Sequence, residues 1–523
     1  MTAKSRYDYL SSERTQFLDE AEQSAELTLP YLITKDSYQK GMRHLPTPWQ
    51  SVGAKCAVTL AAKLMQSMLP VQTSFFKLQV DDTQLGEQFP PEVKSELDLS
   101  FAKIERTILE AIAASNDRVV VHEALLHLVI AGNALIYMGK DGLKVYPLNR
   151  YVVERDGNGN VIEIVTKETI AKKLIEDQLP EDVLKNYNTT VDDSPDNSDE
   201  CDIYTHIKLD NNRYVWHQEV HNQKLPKSYG KAPVEVSPWI PLRFNSVDGE
   251  DYGRGRGGQF IGDLKSLEAL SQALVEGSAA AAKVVFTVSP SSTTKPSTLA
   301  NAGNGAIVQG RPDDIGVVQV GKSADFGTAF QMMQQLERRL NEAFLVMQVR
   351  QSERTTAEEV RLTQMELEQQ LGGLFSLLTT EFLLPYLNRI LNEFQKSRKI
   401  PRLPKNIVKP TIVAGVNALG RGQDRESLGQ FLTVISQTMG PEAVQKFINP
   451  EEVIKRLAAS QGIDVLNLVK SMQEIQGQEQ QAQQMAMQQQ QQEQQIAMMK
   501  TPMMDPSKNP AIAGEQQQPP TQE

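Results

Sequence analysis

The alternation of apolar and polar positions changes period several times along this chain, and each change predicts a different element. Residues 8–27 and 47–69 have a helical period. In the second, Val52, Cys56, Leu60, Leu64 and Met68 recur at every fourth position, which puts them on one face of a helix that Thr47-Pro48 would start. That face is predicted to be buried. Residues 98–115 and 120–138 repeat the pattern, and ALLHLVIAGNALIYM is apolar on nearly all sides. A helix without a polar face belongs in a core, so the second of these predicts a core helix that ends near Gly132-Asn133 and continues as a strand.

Beyond this point the period shortens to two. Tyr151 to Val153 and Val161 to Val165 flank Asp156-Gly157-Asn158-Gly159, whose turn chemistry predicts a β-hairpin. CDIYTHIKL, RYVWHQEV and WIPLRF predict further strands, with a polar, acidic loop near residues 188–200 ahead of them.

Helical spacing returns at residue 259, where Ile261, Leu264, Leu267 and Leu270 share a face ahead of GSAAAA, whose small residues let another helix approach closely. Residues 289–323, rich in Gly, Ser, Pro and Thr, hold two short apolar runs, AIVQ and GVVQV, that predict a small β excursion. Phe326, Phe330, Met333, Leu336, Leu340 and Phe344 then mark a helix over 324–347. QVRQSERTTAEEV interrupts it. Thr355 or Thr356 can cap the next helical region, 356–397, with Glu358 or Glu359 completing a capping box, and Gly372-Gly373 and Pro385 predict bends. A Pro-bounded break, IPRLPKNIVKP, leads to a smaller helical unit over 411–470. After 471 the chain is rich in Gln and Met, and its last twenty residues cannot bury enough apolar surface to fold. The predicted fold class is α+β, mainly helical.

Composition narrows the function. The chain has 523 residues, enough for several domains, and its 40% hydrophobic and 23% charged residues are ordinary for a folded protein. A net charge of -11 argues against a main task of gripping nucleic acid, because neutralising phosphate needs concentrated Lys and Arg. DNA that passes without being held remains compatible with it. Cys56 and Cys201 are too few for a disulfide framework. No apolar core follows the basic residues of the N-terminal stretch, and no run approaches the roughly 20 apolar residues of a membrane span. A cytoplasm-like compartment and no membrane partner are expected.

Several motifs promise chemistry that their context withholds. GRGRGG places Gly253, Gly255 and Gly258 at dinucleotide-fingerprint spacing, yet it follows NSVDGEDY rather than an apolar strand, and no second parallel strand comes after it. A flexible joint before a helix is the expectation. His206, His217, His221 and Cys201 could form a metal set only by converging, and a four-residue offset along a strand separates His217 from His221 by about 13 Å. With no CxxC, HExxH or DxDxDG loop, solvated or interface histidines are expected, and no metal. Asp81-Asp82, Asp192-Asp193 and Asp313-Asp314 lie in polar loops, where nothing separates the pKa values of paired carboxylates. GxSxG, Walker and kinase patterns are absent, so neither catalytic residues nor cofactors are expected. Arg254, Arg256, Arg311, Arg338, Arg339, Arg350, Arg354, Arg361, Arg421 and Arg425 are scattered without aromatic interleaving, unlike a base-reading surface.

A series of phrases carries a resemblance: TPWQSVGAKCAVTLAAKLM (47–65), VIAGNALIYM (129–138), YVVERDGNGNV (151–161), GDLKSLEAL (262–270), GRPDDI (310–315), ERTTAEEVR (353–361), LGG (371–373) and GRGQD (420–424). Their order and spacing resemble the head-to-tail connector, or portal, proteins of short-tailed bacteriophages. The resemblance implies a portal-type fold that forms a ring, usually of twelve subunits, at one capsid vertex, through which DNA is packaged and later ejected. By that analogy residues 1–258 and 357–400 form the wing, with a β-rich insert at about 139–245, and 259–284 and 324–347 form the stem. Residues 285–323 are the clip, 348–356 a channel loop, 401–470 the crown and 471–523 its extension toward the head interior, where the family pattern is least matched.

The same resemblance implies partners and sites. The packaging motor (terminase) and then a tail adaptor (tail tubular) protein would dock at the clip, through Lys295, Asn301, Asn304, Arg311, Asp313 and Asp314. Major capsid, scaffolding and internal core proteins would surround the ring, which would nucleate procapsid assembly, and double-stranded DNA would fill its channel. Arg350, Gln351, Ser352, Glu353 and Arg354 would face that DNA, two cations presented to phosphate while Glu353 keeps the charge near balance. Gly277, Ala279, Ala280, Ala281 and Ala282 would let neighbouring stem helices pack closely. Two other readings stay open: an oligomeric scaffold or adaptor using the Gln-rich tail, and a nucleotide-dependent enzyme using the 253–258 loop.

Overall fold

The computed structural model of the chain describes residues 2–35, 45–70, 74–80, 91–140, 142–171, 200–281, 285–291, 295–303, 306–309, 311, 313, 315–318, 323–346, 371–403 and 408–412, with 429, 431–438, 440, 448 and 453. The chain divides into two units, Met1–Ala418 and Leu419–Glu523. Of the second, residues 431–438 are helical.

Helix α1 (Ala3–Glu26) is capped by Thr2, whose hydroxyl accepts the Ser5 N–H. Helix α2 (Val52–Met68) buries Cys56, Leu60, Leu64 and Met68 completely, as their spacing predicts. Its start lies later than Thr47-Pro48. The Gln50 side chain accepts the Gly53 N–H at 2.8 Å and donates to Leu27 O at 2.7 Å, so the first turn is capped from Gln50 and tied to the end of α1. Strand β1 (Phe76–Val80) and helices α3 (Pro91–Ala114) and α4 (Asp117–Ala131) follow. The core helix α4 stops at Gly132, left-handed at φ 76, and Asn133 opens strand β2 (Asn133–Gly139), so the predicted helix-to-strand change holds.

Strands β2, β3 (Gly142–Tyr146) and β10 (Trp239–Arg243) form one antiparallel sheet in the order β10-β2-β3. Between them in sequence come β4 (Tyr151–Arg155), β5 (Val161–Ala171), β6 (Glu200–Asp210), β7 (Arg213–Val220), β8 (Gln223–Lys224) and β9 (Gly230–Pro233), which make a second antiparallel sheet. The β4–β5 hairpin is the one its DGNG turn predicts, with Asp156 accepting the Asn158 and Asn160 N–H groups.

Register fixes what the N-terminal half of α1 meets. Val152 pairs with Val165, Val165 with His206 and His206 with His217, so all four share a face. Ala3, Tyr7 and Leu10 pack on Val152, Val165 and Tyr204, a small core separate from the main one. Around it Arg6 reaches Glu154 and Glu163, His206 pairs with Glu163, His217 pairs with Glu219 at 2.9 Å, and the Ala3 N–H donates to Glu219 at 2.5 Å. Of the two alternatives expected for the histidines, solvated or interface, the first does not hold for His206 and His217, which are partly buried in carboxylate pairs within the chain. His221 lies beyond the end of β7 in a left-handed turn, so it shares no strand with His217. Among the described residues no three His, Cys, Asp or Glu are placed to hold a metal.

The glycines of GRGRGG do not make a flexible joint. Here the chain crosses the end of α4 so closely that a Cβ on Gly255 would lie 2.6 Å from Gly132 N and 2.7 Å from Ile130 O. Asn133 locks the crossing by bonding both the N–H and the carbonyl of Gly253, at 2.7 and 2.8 Å. Gly253 and Gly255 serve backbone-to-backbone packing, and Gly258 makes room for the Glu20 side chain.

Helices α5 (Arg256–Gln259) and α6 (Ile261–Ala281) then lead to a ribbon of β11 (Val285–Val288) and β12 (Ile315–Val318), with helix α7 (Pro296–Ala300) between them. Of the two predicted strands there, GVVQV overlaps β12, but AIVQ is not a strand. Strand β11 takes its place beside β12, and Ile307 stands fully exposed at 103%. Helix α8 (Ser323–Ala343) returns alongside α6. Residues 371–378, Gly372 and Gly373 among them, are helical (α9) and lead into a π turn, Thr379–Leu383, and α10 (Leu384–Lys396). Pro385 has no N–H for the Glu381 carbonyl, and the Leu384 N–H reaches back to Thr379 O instead, so the break is a π turn placed by the proline. Strand β13 (Val408–Ile412), not expected from the sequence, pairs with β1.

Candidate ring and channel site

Helices α6 and α8 form an antiparallel hairpin whose register is set by three contacts. Arg339 bonds Asp263 at 2.7 Å, the Ser271 hydroxyl approaches the Met333 sulfur at 3.8 Å, and a Cβ on Gly277 would lie 2.5 Å from the Phe326 ring. Gly277 thus gives way to an aromatic ring of its own chain. At the base of the hairpin Leu264, Leu267, Leu336, Leu340 and Phe344 are buried in the main core. Further along, Val275, Phe330 and Met332 are about half exposed in the single chain, and Ala279 and Ala280, one turn beyond Val275 in α6, are exposed. Ala281 ends α6, and Ala282 lies outside the described residues.

At the far end Lys295 and Asn301 flank α7. The Lys295 carbonyl accepts the Thr298 and Leu299 N–H groups, and the Asn301 N–H closes on Ser297 O. Both side chains are exposed, as are Arg311 and Asp313. Asn301 also lines an open cleft of about 360 Å³ with Ser297, Thr298, Ala302, Ala306, Ile307 and Val308. Asn304 and Asp314 lie outside the described residues, as do Arg350, Gln351, Ser352, Glu353 and Arg354 and the capping box at 355–359.

Three of the ten scattered arginines are engaged within the chain. Arg254 pairs with Glu250 and Glu20 and stacks on Phe17, Arg339 pairs with Asp263, and Arg256 donates to the Ala343 carbonyl at 3.0 Å. Lys63, on α2, donates to the Leu345 carbonyl, and burial lowers its pKa. Neither Lys63 nor the Arg243–Glu381 pair stands out in the sequence, because each depends on partners more than a hundred positions away. Among the described residues no helix is long and apolar enough to cross a membrane.

The sequence has close counterparts. Residues 1–468 match the family described as bacteriophage head to tail connecting protein. The portal protein of Escherichia phage T7 is 37% identical over 493 residues, covering 92% of this chain and 90% of that protein. The portal protein of Enterobacteria phage T3 is 37% identical, covering 89% and 88%. Among solved structures, the neck of an empty GTA particle aligns over 78% of this chain and 89% of that chain, with 11% identity and a TM-score of 0.38. On the extent of the family match and of these two alignments, the chain belongs to the bacteriophage head-to-tail connecting protein family.

Proposed function

We propose that the chain is the subunit of a phage portal, a closed ring at one capsid vertex that carries DNA inward during packaging and outward during ejection. The observation that carries this reading is the alignment with named portal proteins along about nine-tenths of both sequences. The hairpin supports it. In a ring each subunit meets its neighbours through two different patches, and the exposed Val275, Phe330 and Met332, with Ala279 and Ala280, are apolar and small side chains suited to neighbouring hairpins. The ring number is twelve in this reading. Lys295, Asn301, Arg311 and Asp313, all exposed, with Asn304 and Asp314, meet the packaging motor and then the tail adaptor. Capsid, scaffolding and internal core proteins contact the rest.

DNA slides in this reading because the wall repels it on balance. The net charge is -11, Arg254 and Arg339 are paired with carboxylates, and Arg350 and Arg354 supply a sparse cationic contact. Negative-stain electron microscopy of purified protein tests the ring: uniform closed rings with a channel wide enough for duplex DNA are expected, and monomers or irregular assemblies overturn it. Arg350→Ala with Arg354→Ala should leave rings intact and lower the DNA content of particles. Unchanged DNA content removes the channel-contact role, and tight, steeply salt-dependent duplex binding by wild-type rings removes the sliding reading.

A further inference from the structure

Helix α8 ends in an unusual way. A Schellman stop places its left-handed residue just past the helix, and glycine ordinarily fills that place. Here Leu345 fills it at φ 56. The Leu345 N–H donates to Glu342 O at 3.0 Å and the Val346 N–H to Asn341 O at 2.7 Å, the two hydrogen bonds of that motif. Phe344, Leu345 and Val346 are all buried, so the strained turn is held by packing on every residue that makes it.

Two cations from separate elements close on the carbonyls left over. Lys63 of α2 donates to Leu345 O, and Arg256 of α5 donates to Ala343 O at 3.0 Å. Burial lowers the pKa of both, and among the described residues neither has a carboxylate partner. Cations at a helix C-terminus are favourable, but one solvated side chain suffices for that. Two partly desolvated ones without an anion cost free energy, so the arrangement exceeds what ending a helix requires. What it adds is a fixed position for Val346, two residues ahead of the segment 348–356.

We infer that Lys63 and Arg256 are positioning residues: by clamping the end of α8 to α2 and α5, they set the point from which 348–356 departs, at the same height in every subunit of the ring. This rests on the channel role proposed for that segment. A contact made by symmetry copies acts together on a DNA chain only if each copy starts from the same place.

The test uses full-length rings and the particles built on them, with Lys63→Met, Lys63→Arg and Arg256→Leu. Hydrogen exchange at the Leu345 and Val346 amides should rise about tenfold or more in Lys63→Met and Arg256→Leu, with rings still forming, and Lys63→Arg should restore slow exchange. DNA content per particle should fall several-fold in the first two and recover in the third. Unchanged exchange at Leu345 and Val346 overturns the clamp. Faster exchange with normal DNA content overturns the positioning role, and loss of rings in both Lys63→Met and Arg256→Leu does so too, since the residues would then serve packing alone. The channel reading fails by a different result, normal DNA content in particles carrying Arg350→Ala with Arg354→Ala, so the two failures are distinct.

Discussion

Arg243 and Glu381, 138 residues apart, are joined by three hydrogen bonds: the Arg243 backbone N–H to Oε2 at 3.0 Å, and its Nε and Nη2 to Oε1 at 2.9 and 2.6 Å. The Arg155 guanidinium stands 3.9 Å from the same carboxylate, and all three side chains are largely buried. One anion therefore serves two cations. It stands in the π turn between α9 and α10, so the pair ties the C-terminal helices to strand β10.

Removing the anion should cost more than removing the whole pair. Glu381→Ala leaves the buried Arg243 guanidinium without its paired carboxylate and Arg155 with only Asp251 nearby, and is expected to destabilise the protein by roughly 3–5 kcal/mol. Arg243→Met with Glu381→Leu keeps the volume and removes the unpaired charge at Arg243, so it should cost less than Glu381→Ala alone. Urea unfolding midpoints of the three proteins decide this. A Glu381→Ala loss below about 1 kcal/mol would show that the pair is not a major tie.

The glycines give a paired prediction. A Cβ at Gly255 would collide with the backbone of Ile130 and Gly132, neither of which can move without displacing the end of α4. Gly255→Ala should destabilise by about 1–3 kcal/mol or more. Gly262, in the first turn of α6, has nothing within 4 Å of an added Cβ. There alanine should stabilise by up to about 1 kcal/mol, through the helix preference alone. Thermal unfolding of both variants is the measurement, and shifts of the same sign would contradict the crossing.

Elements whose own residues dictate them were legible in the sequence. The stripe of α2, the all-round apolar α4 and the DGNG hairpin each carry a period or a turn that local physics enforces. Elements that depend on distant partners were not. Strand β13 exists because β1 offers it an edge, and AIVQ forms no strand while β11 occupies the place beside β12. Gly253, Gly255 and Gly258 looked like freedom and prove to be close packing, since composition cannot distinguish a residue that must bend from one that must be small. The site divides in the same way: exposure of Lys295 and Asn301 agrees with their polar surroundings, whereas Lys63 and Arg256 gain their role only where α2, α5 and α8 converge.

Acid should destabilise the protein in two separable pH windows, because buried histidines and a buried carboxylate, all with lowered pKa values, lose their stabilising protonation states at different pH. His127, in α4, is 2% exposed with no partner for Nδ1, and burial pushes its pKa down to about 4. In the unfolded chain a histidine titrates near 6.5, so between about pH 6.5 and 4 the unfolded state takes up a proton that the folded state refuses. Stability is complete above that window and falls through it, by up to about 3 kcal/mol per chain. His217 adds to the same window with the same sign, since burial lowers its pKa against the opposing pull of Glu219. Glu163 acts lower down. Burial would raise its pKa, but hydrogen bonds from His206 and Arg6 outweigh that and hold it at about 2. Its contribution is present above the ordinary carboxylate value near 4.5 and is lost as pH falls toward 2. His127→Leu should therefore flatten most of the upper slope in a plot of unfolding free energy against pH and leave the lower one, while Glu163→Gln should do the reverse. An upper slope unchanged by His127→Leu would mean that the folded protein accommodates a charged imidazole at that position, against the burial seen there.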